Sequence, residues 1–454
     1  MREQMTAAIQ SSPADYTEIR LEDRQSSRVV YRGHELETAS VVLDRGGIVR
    51  CLVHGGGWGV ATFNNLDDLP RRVRQAYEGA RSLQVEPVEL ASIPVVEDTI
   101  HVPLQRDFRG VSLTEKKALA EEYNNVMLQA DDRIVDTQTV YADSFSRVYL
   151  ATSEGSYLSE DRPMCTVYFQ ALARQDGDVQ QSHESVSQVA GFEIALGRHA
   201  LAEKVARQAV EMLSAPTVQG GRYTVVCNRR LAGVFAHEAF GHLSEADFVY
   251  SDPRAQEMMV LGRRFGEKIL TIADDGSLPG RRGSHKYDDE GTPTGRTDLI
   301  REGVLVGRLH SRETAAKMGE QPTGNARATG YRYPPIVRMT NTFIESGETP
   351  LEEMLAAIDL GIYACDAYGG QTALENFSFS AGYAHMIRGG QIAEMVRDVV
   401  LSGNLFATLA NIDAVGDDIE WPETGGTCGK GQGGLPVAMG SPHIRIQDVL
   451  IAGK

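Results

Sequence analysis

Val234-Phe235-Ala236-His237-Glu238-Ala239-Phe240-Gly241-His242 is the stretch from which the rest of this 454-residue chain is best read. It stretches by one residue, to H-E-x-x-x-H, the pattern H-E-x-x-H. That shorter pattern puts two metal ligands and a general base on one face of a helix. On an ideal α-helix, residues five apart diverge by roughly 140°, so the two imidazoles would not share an ion. A one-residue π-bulge would swing His242 back toward His237, and such bulges concentrate at functional sites. Gly241, which lacks a Cβ, is expected to make the distortion cheap. The bland alternative is a buried amphipathic helix with satisfied histidines. With 11 His and 62 acidic residues in the chain, only about 0.04 chance occurrences are expected on composition, which favours the metal reading.

Around this helix the C-terminal half reads as strands. Short β-prone runs recur at 223–227, 304–309, 336–342, 385–387 and 392–396, between Gly-, Pro- and Thr-rich turns. The N-terminal half mixes both periodicities. Runs 18–21, 27–31, 48–54, 134–151 and 164–174 are strand-like. Runs 69–83, 113–128 and 201–213 carry apolar residues three or four apart, as helices do, and Thr114 is a candidate cap for the second. Strands and helices without strict alternation predict an α+β fold. Ser214-Ala215-Pro216 and Gly220-Gly221 are turn residues after a helix. They suggest an N-terminal α+β domain over 1–215 and a β-rich domain over 216–454 that carries the metal-motif helix. A chain of this length exceeds one hydrophobic core.

Net charge is −17, with 42% apolar residues and no basic cluster. Nucleic-acid binding, which needs positive charge against phosphate, is therefore not expected. Docking on an anionic membrane is disfavoured for the same reason. No stretch has the length and apolarity of a membrane span, and the polar segment 1–23 has no apolar core of a signal peptide. Five scattered cysteines without C-x-x-C spacing fit a reducing, cytoplasmic location. Four of them, Cys51, Cys165, Cys227 and Cys365, sit in apolar surroundings as small buried hydrophobes.

A catalytic zinc site usually takes three protein ligands. By residue type the third is Glu245, Asp247 or Cys428. Cys428 lies in Gly425-Gly426-Thr427-Cys428-Gly429-Lys430-Gly431-Gln432-Gly433-Gly434, where flanking glycines permit close backbone approach. A thiolate suits zinc or iron. Other motifs fall away. Lys430 is followed by Gly431 rather than Ser or Thr, and Thr424 stands where a phosphate-binding loop needs glycine. Asp288-Asp289-Glu290 lacks the alternate ligand spacing of a calcium loop and reads as an exposed acidic loop within a polar, mobile stretch over 273–295.

Nearly the whole chain resembles the TldD/PmbA family of metallopeptidases, on its TldD side. The resemblance is carried by His237 to His242, Tyr287-Asp288-Asp289-Glu290-Gly291-Thr292-Pro293, Pro322-Thr323-Gly324-Asn325, Arg338-Met339-Thr340-Asn341-Thr342 and Gly426-Thr427-Cys428-Gly429-Lys430. It implies His237, His242 and Cys428 as ligands of one zinc per chain, with iron the alternative, and Glu238 as general base. It also implies unfolded or linear peptides, reaching the metal as extended strands, as substrates. Dimers are implied as well, either of this chain or with a PmbA-like relative that lacks the motif. The alternative function is a metal-binding regulatory or assembly subunit without hydrolysis. Peptide cleavage needs a donor for the tetrahedral oxyanion, for which Arg338, Tyr383 and His385 are candidates by residue type alone.

Overall fold

Residues 1–83 and 86–452 are described by the structure, a computed structural model. Residues 453 and 454, which end the expected C-terminal domain, lie outside the described residues. Seven strands of the N-terminal half form one sheet: β1 Tyr16–Arg32, β2 Glu35–Leu52, β3 Trp58–Phe63, β4 Glu97–Ile100, β5 Ile134–Thr152, β6 Tyr157–Gln175 and β7 Asp178–Gln188. Their order is β3-β2-β1-β5-β6, and both β4 and β7 pair with β6. β4 runs parallel to its first residues and β7 antiparallel to the rest. The expected strands 18–21 and 27–31 prove to be one strand of 17 residues. The polar residues between them, Glu22 to Ser26, pair with β2 on one side and β5 on the other. A ladder needs backbone partners, not apolar side chains, wherever a face meets water.

Helices Leu69–Arg81, Leu113–Leu128 and His199–Ser214 pack on this sheet, each where the apolar spacing puts one. Leu113–Leu128 is capped by Ser112, whose hydroxyl accepts from the Glu115 amide, and not by Thr114. The cap needs an extended backbone; Ser112 has φ −65° and ψ 149°, while Thr114 is already in the first turn. A helix over Arg2–Gln10, burying Met5, Ala8 and Ile9, was not anticipated from the polar N-terminus.

The C-terminal half builds two further sheets. In one, Leu360–Ala373 pairs with Gly221–Cys227 and with Asn376–Arg388, and the ring returns through Val400–Asn404 and Ile444–Ala452, so the sheet closes on itself. The other, of six strands, ends on Gly434–Gly440 and then the edge strand Gly426–Gly429. Helix Arg229–Ala236 lies against both. Asn228 caps it through the Leu231 amide, and Phe235 meets Phe377 and Phe379 edge-on at 5.7 and 5.9 Å. The expected strand 304–309 shortens to Val304–Leu305. The expected strand 336–342 splits into Ile336–Val337 and Asn341–Ile344, releasing Arg338, Met339 and Thr340 to other partners. No helix of the described residues is long and apolar enough to cross a membrane.

The acidic run Asp288-Asp289-Glu290 is not an exposed loop; each residue is at most 3% exposed. Asp288 accepts three backbone amides, from Glu290, Thr292 and Ala326. Asp289 sits 2.7 Å from both Arg20 and Arg162, and Glu290 lies 3.0 Å from Arg50. Burial of carboxylates is tolerated because β1, β2 and β6 supply the opposite charge. The loop therefore pins the N-terminal sheet to the C-terminal half, where a solvated, mobile segment was expected.

Candidate metal centre

The helix begun at Arg229 continues as a π-helical turn over His237–Gly241 and ends in a 3₁₀ turn over His242–Ser244. This is the distortion that the extra residue demands. It brings the His237 and His242 rings to 5.3 Å between centroids at 79°. The role expected for Gly241 needs correction. Its φ of −58° and ψ of −50° are ordinary helical values, so its conformational freedom is not used. Instead, a Cβ there would lie 2.0 Å from the Met339 sulfur. Gly241→Ala is therefore expected to destabilise the fold by about 1–3 kcal/mol through overpacking, read as a lowered midpoint in chemical denaturation.

Cys428 reaches the histidines from the opposite side. Its strand, Gly426–Gly429, forms a hairpin with Gly434–Gly440 that sets Cys428 opposite Leu435. Gly431 and Gly433, at φ of 55° and 101°, make the turn, a conformation that side chains resist. Cys428 Sγ lies 3.3 Å from His242 Nε2. Donor atoms of His237, His242 and Cys428 all fall within 4.8 Å of one another. Neighbouring donors in a tetrahedral zinc site, with bonds of about 2.0–2.3 Å, stand about 3.5 Å apart, so modest closing of the three would suffice.

Glu245 and Asp247, the rival third ligands, face elsewhere. The Glu245 carboxylate is 3.0 Å from His242 Nδ1, on the far side of that ring from Cys428. Lys430 Nζ reaches Glu245 at 3.0 Å and Asp247 at 2.7 Å, and donates to the Val337 carbonyl. Glu245 thus fixes the orientation of His242, and Lys430 ties the cysteine hairpin to the histidine helix. By sequence, Lys430 has a place in the family motif and is excluded as a phosphate-binding lysine, but is assigned no such tie. Its position two residues after Cys428 was the available signal.

Arg338 is wholly buried and donates to the carbonyls of Cys428 and Lys430. It holds the hairpin, and its Nε is buried without a hydrogen-bond partner. His385 meets the Ala393 carbonyl at 3.2 Å, and Tyr383 stands opposite Cys365 in the sheet. Neither joins the cluster.

The electrostatics divide the two histidines. His237 is pushed well below the usual imidazole range by burial and then by the positive charges of His242, Arg338 and Arg327. Its Nδ1 is buried without a hydrogen-bond partner. For His242, burial opposes charge, but hydrogen bonds to Cys428 and Glu245 win and raise it to about 10. A neutral imidazole with an orphaned nitrogen, beside a second imidazole and a thiol that already attract a positive charge, suits a soft divalent cation. Glu238 remains outside this donor set, 4.0 Å from His242 Nε2. Burial lifts its carboxyl above the usual range, with His242 opposing and Glu245 adding.

Comparisons with known proteins fall on one family. Family models described as PmbA/TldA metallopeptidase domain 1, central domain and C-terminal domain match residues 17–80, 106–213 and 220–453. A metalloprotease of Synechocystis is 48% identical over 97% of this chain and 96% of its own length. A metalloprotease of Methanocaldococcus jannaschii is 33% identical over 95% and 96%. A metalloprotease TldD homologue of Haemophilus influenzae is 28% identical over 97% and 93%. Among solved structures, TldE from Thermococcus kodakarensis superposes with a TM-score of 0.79 at 17% identity, covering all of both chains, a likeness of fold.

Proposed function

Because the chain belongs to the TldD/PmbA family and is a metalloprotease of that family, we propose that it hydrolyses unfolded or linear peptides with one zinc ion held by His237, His242 and Cys428 and with Glu238 as general base. The convergence of those three donors within 4.8 Å, with Glu238 beside the first of them, carries this reading. Bound zinc supplies a Lewis acid that polarises the scissile carbonyl and acidifies a water. Glu238 takes a proton from the attacking water and delivers it to the leaving amide nitrogen as the C–N bond breaks. Its raised carboxyl pKa brings it closer to neutrality, which suits both halves of that exchange. His237 stays neutral and ready to donate, while Glu245 keeps His242 turned toward Cys428.

The strand bearing Cys428 is the edge of its sheet, and an extended peptide can add to such an edge by backbone hydrogen bonds. That supports a demand for unfolded chains. The resemblance to the family supports action as a dimer, with a second copy or a PmbA-like relative.

Elemental analysis and hydrolysis of an unfolded polypeptide, before and after chelation, test the proposal. Near one zinc per chain is expected, with activity lost on chelation and restored by zinc; full activity after complete metal removal would overturn it. Glu245→Gln weakens the polarisation of His242 and is expected to lower zinc affinity by about 10–100-fold, read by competition with a chromophoric chelator.

A further inference from the structure

A cavity of about 430 Å³ is lined by residues of the same helix and the same edge strand that carry the metal centre, though not by its donors themselves. Val234 stands one turn before Glu238 on the same helix, and Gly426 and Thr427 lead directly into Cys428. The facing wall is aromatic. Tyr168 and His183 come from β6 and β7, with rings stacked at 6.0 Å and 29°. Tyr368 comes from the closed sheet, 5.3 Å from His183. Tyr368 is the residue left out of the ladder where the register shifts between Ala367 and Gly369. Bulges of this kind re-aim side chains beside active sites. The charged side chains on the lining are Arg230 and Arg282; among the described residues no aspartate or glutamate lines it. Arg230 is paired with Glu184 at 2.7 Å, and Arg282 donates to the Gly426 carbonyl at 3.0 Å.

We infer that this cavity is a specificity pocket that takes an aromatic side chain of the peptide next to the cleaved bond. The inference rests on the hydrolytic reading of His237, Glu238, His242 and Cys428. The volume admits a phenyl, phenol or indole group. Ring faces and edges at this spacing favour a further ring, and guanidinium groups add cation–π attraction. A lysine or arginine entering the pocket would lose its hydration and find no carboxylate.

Matched unstructured peptides with Phe, Ala or Lys at one position flanking the cleaved bond test this. On the metal-loaded protein, kcat/KM is expected to be about tenfold or more higher for Phe than for Ala, with Lys below Ala. Val234→Phe, which fills the pocket, and Tyr368→Ala, which removes an exposed wall, should each bring the Phe-to-Ala ratio toward one. An unchanged ratio in both variants, or no preference in the wild type, overturns the pocket. Anisotropy of the labelled Phe and Ala peptides on Glu238→Gln protein reads the pocket without turnover. Preferential Phe binding, lost in the Val234→Phe double variant, supports the pocket even if the wild type cuts neither peptide. That result would sink the hydrolytic reading alone. Cleavage of both peptides at equal rates, with equal binding, sinks the pocket and leaves the hydrolytic reading standing.

Discussion

Glu238→Gln is expected to lower kcat for peptide hydrolysis by about 10²–10⁴-fold, the usual contribution of a positioned general base, with zinc content unchanged. Glutamine keeps the shape and the hydrogen-bonding reach of the side chain but cannot accept a proton at neutral pH. Glu238 lies outside the cluster of donors, so its replacement leaves the coordinating atoms alone. It is only partly buried, and the amide introduces no unpaired charge, so the fold should persist. Single-turnover cleavage measured beside elemental analysis separates the two effects. Wild-type rates with full metal would remove the general-base role. Loss of metal would make Glu238 part of the ligand set.

Cys428→Ala is expected to weaken zinc binding by more than about 100-fold, since the loss of an outer-layer partner alone costs about 10–100-fold and here a direct donor disappears. The fold should survive. The hairpin is held by its ladder to Gly434–Gly440, by Arg338 and by Lys430 bridging to Glu245 and Asp247. None of these contacts uses the sulfur. Metal content after dialysis, with thermal unfolding as a control on folding, reads the result. Full occupancy would return Glu245 or Asp247 to candidacy. Either would then have to leave its present partners, His242 for Glu245 and Lys430 for both.

Much of this could be read one residue at a time. The apolar spacing in 69–81 and 199–214 is local, and the structure has helices there because one face of each had to be buried. The insertion between His237 and His242 demanded a π-turn for the same local reason: only one backbone distortion restores a shared face. The errors cluster where long-range partners decide. Polar Glu22 to Ser26 looked like a break between strands, yet two neighbouring strands supply its backbone hydrogen bonds. Asp288-Asp289-Glu290 looked solvated, yet Arg20, Arg50 and Arg162 are more than a hundred residues away in sequence and adjacent in space.

Sequence alone determined the helix that carries His237, Glu238 and His242, and its need for a bulge, because helical phase is set by neighbours a few residues apart. Its resemblance to the TldD/PmbA family pointed to Cys428, which spacing could not. Only the tertiary structure decided that Cys428 meets His242, that Glu245 orients His242 and does not compete with Cys428, and that Gly241 answers to Met339. Cys428 and His242, and Gly241 and Met339, are distant along the chain, and Glu245, though only three residues from His242, is fixed by Lys430 of the cysteine hairpin. A contact of that kind exists only once separate sheets have packed, and its geometry depends on where both backbones come to rest.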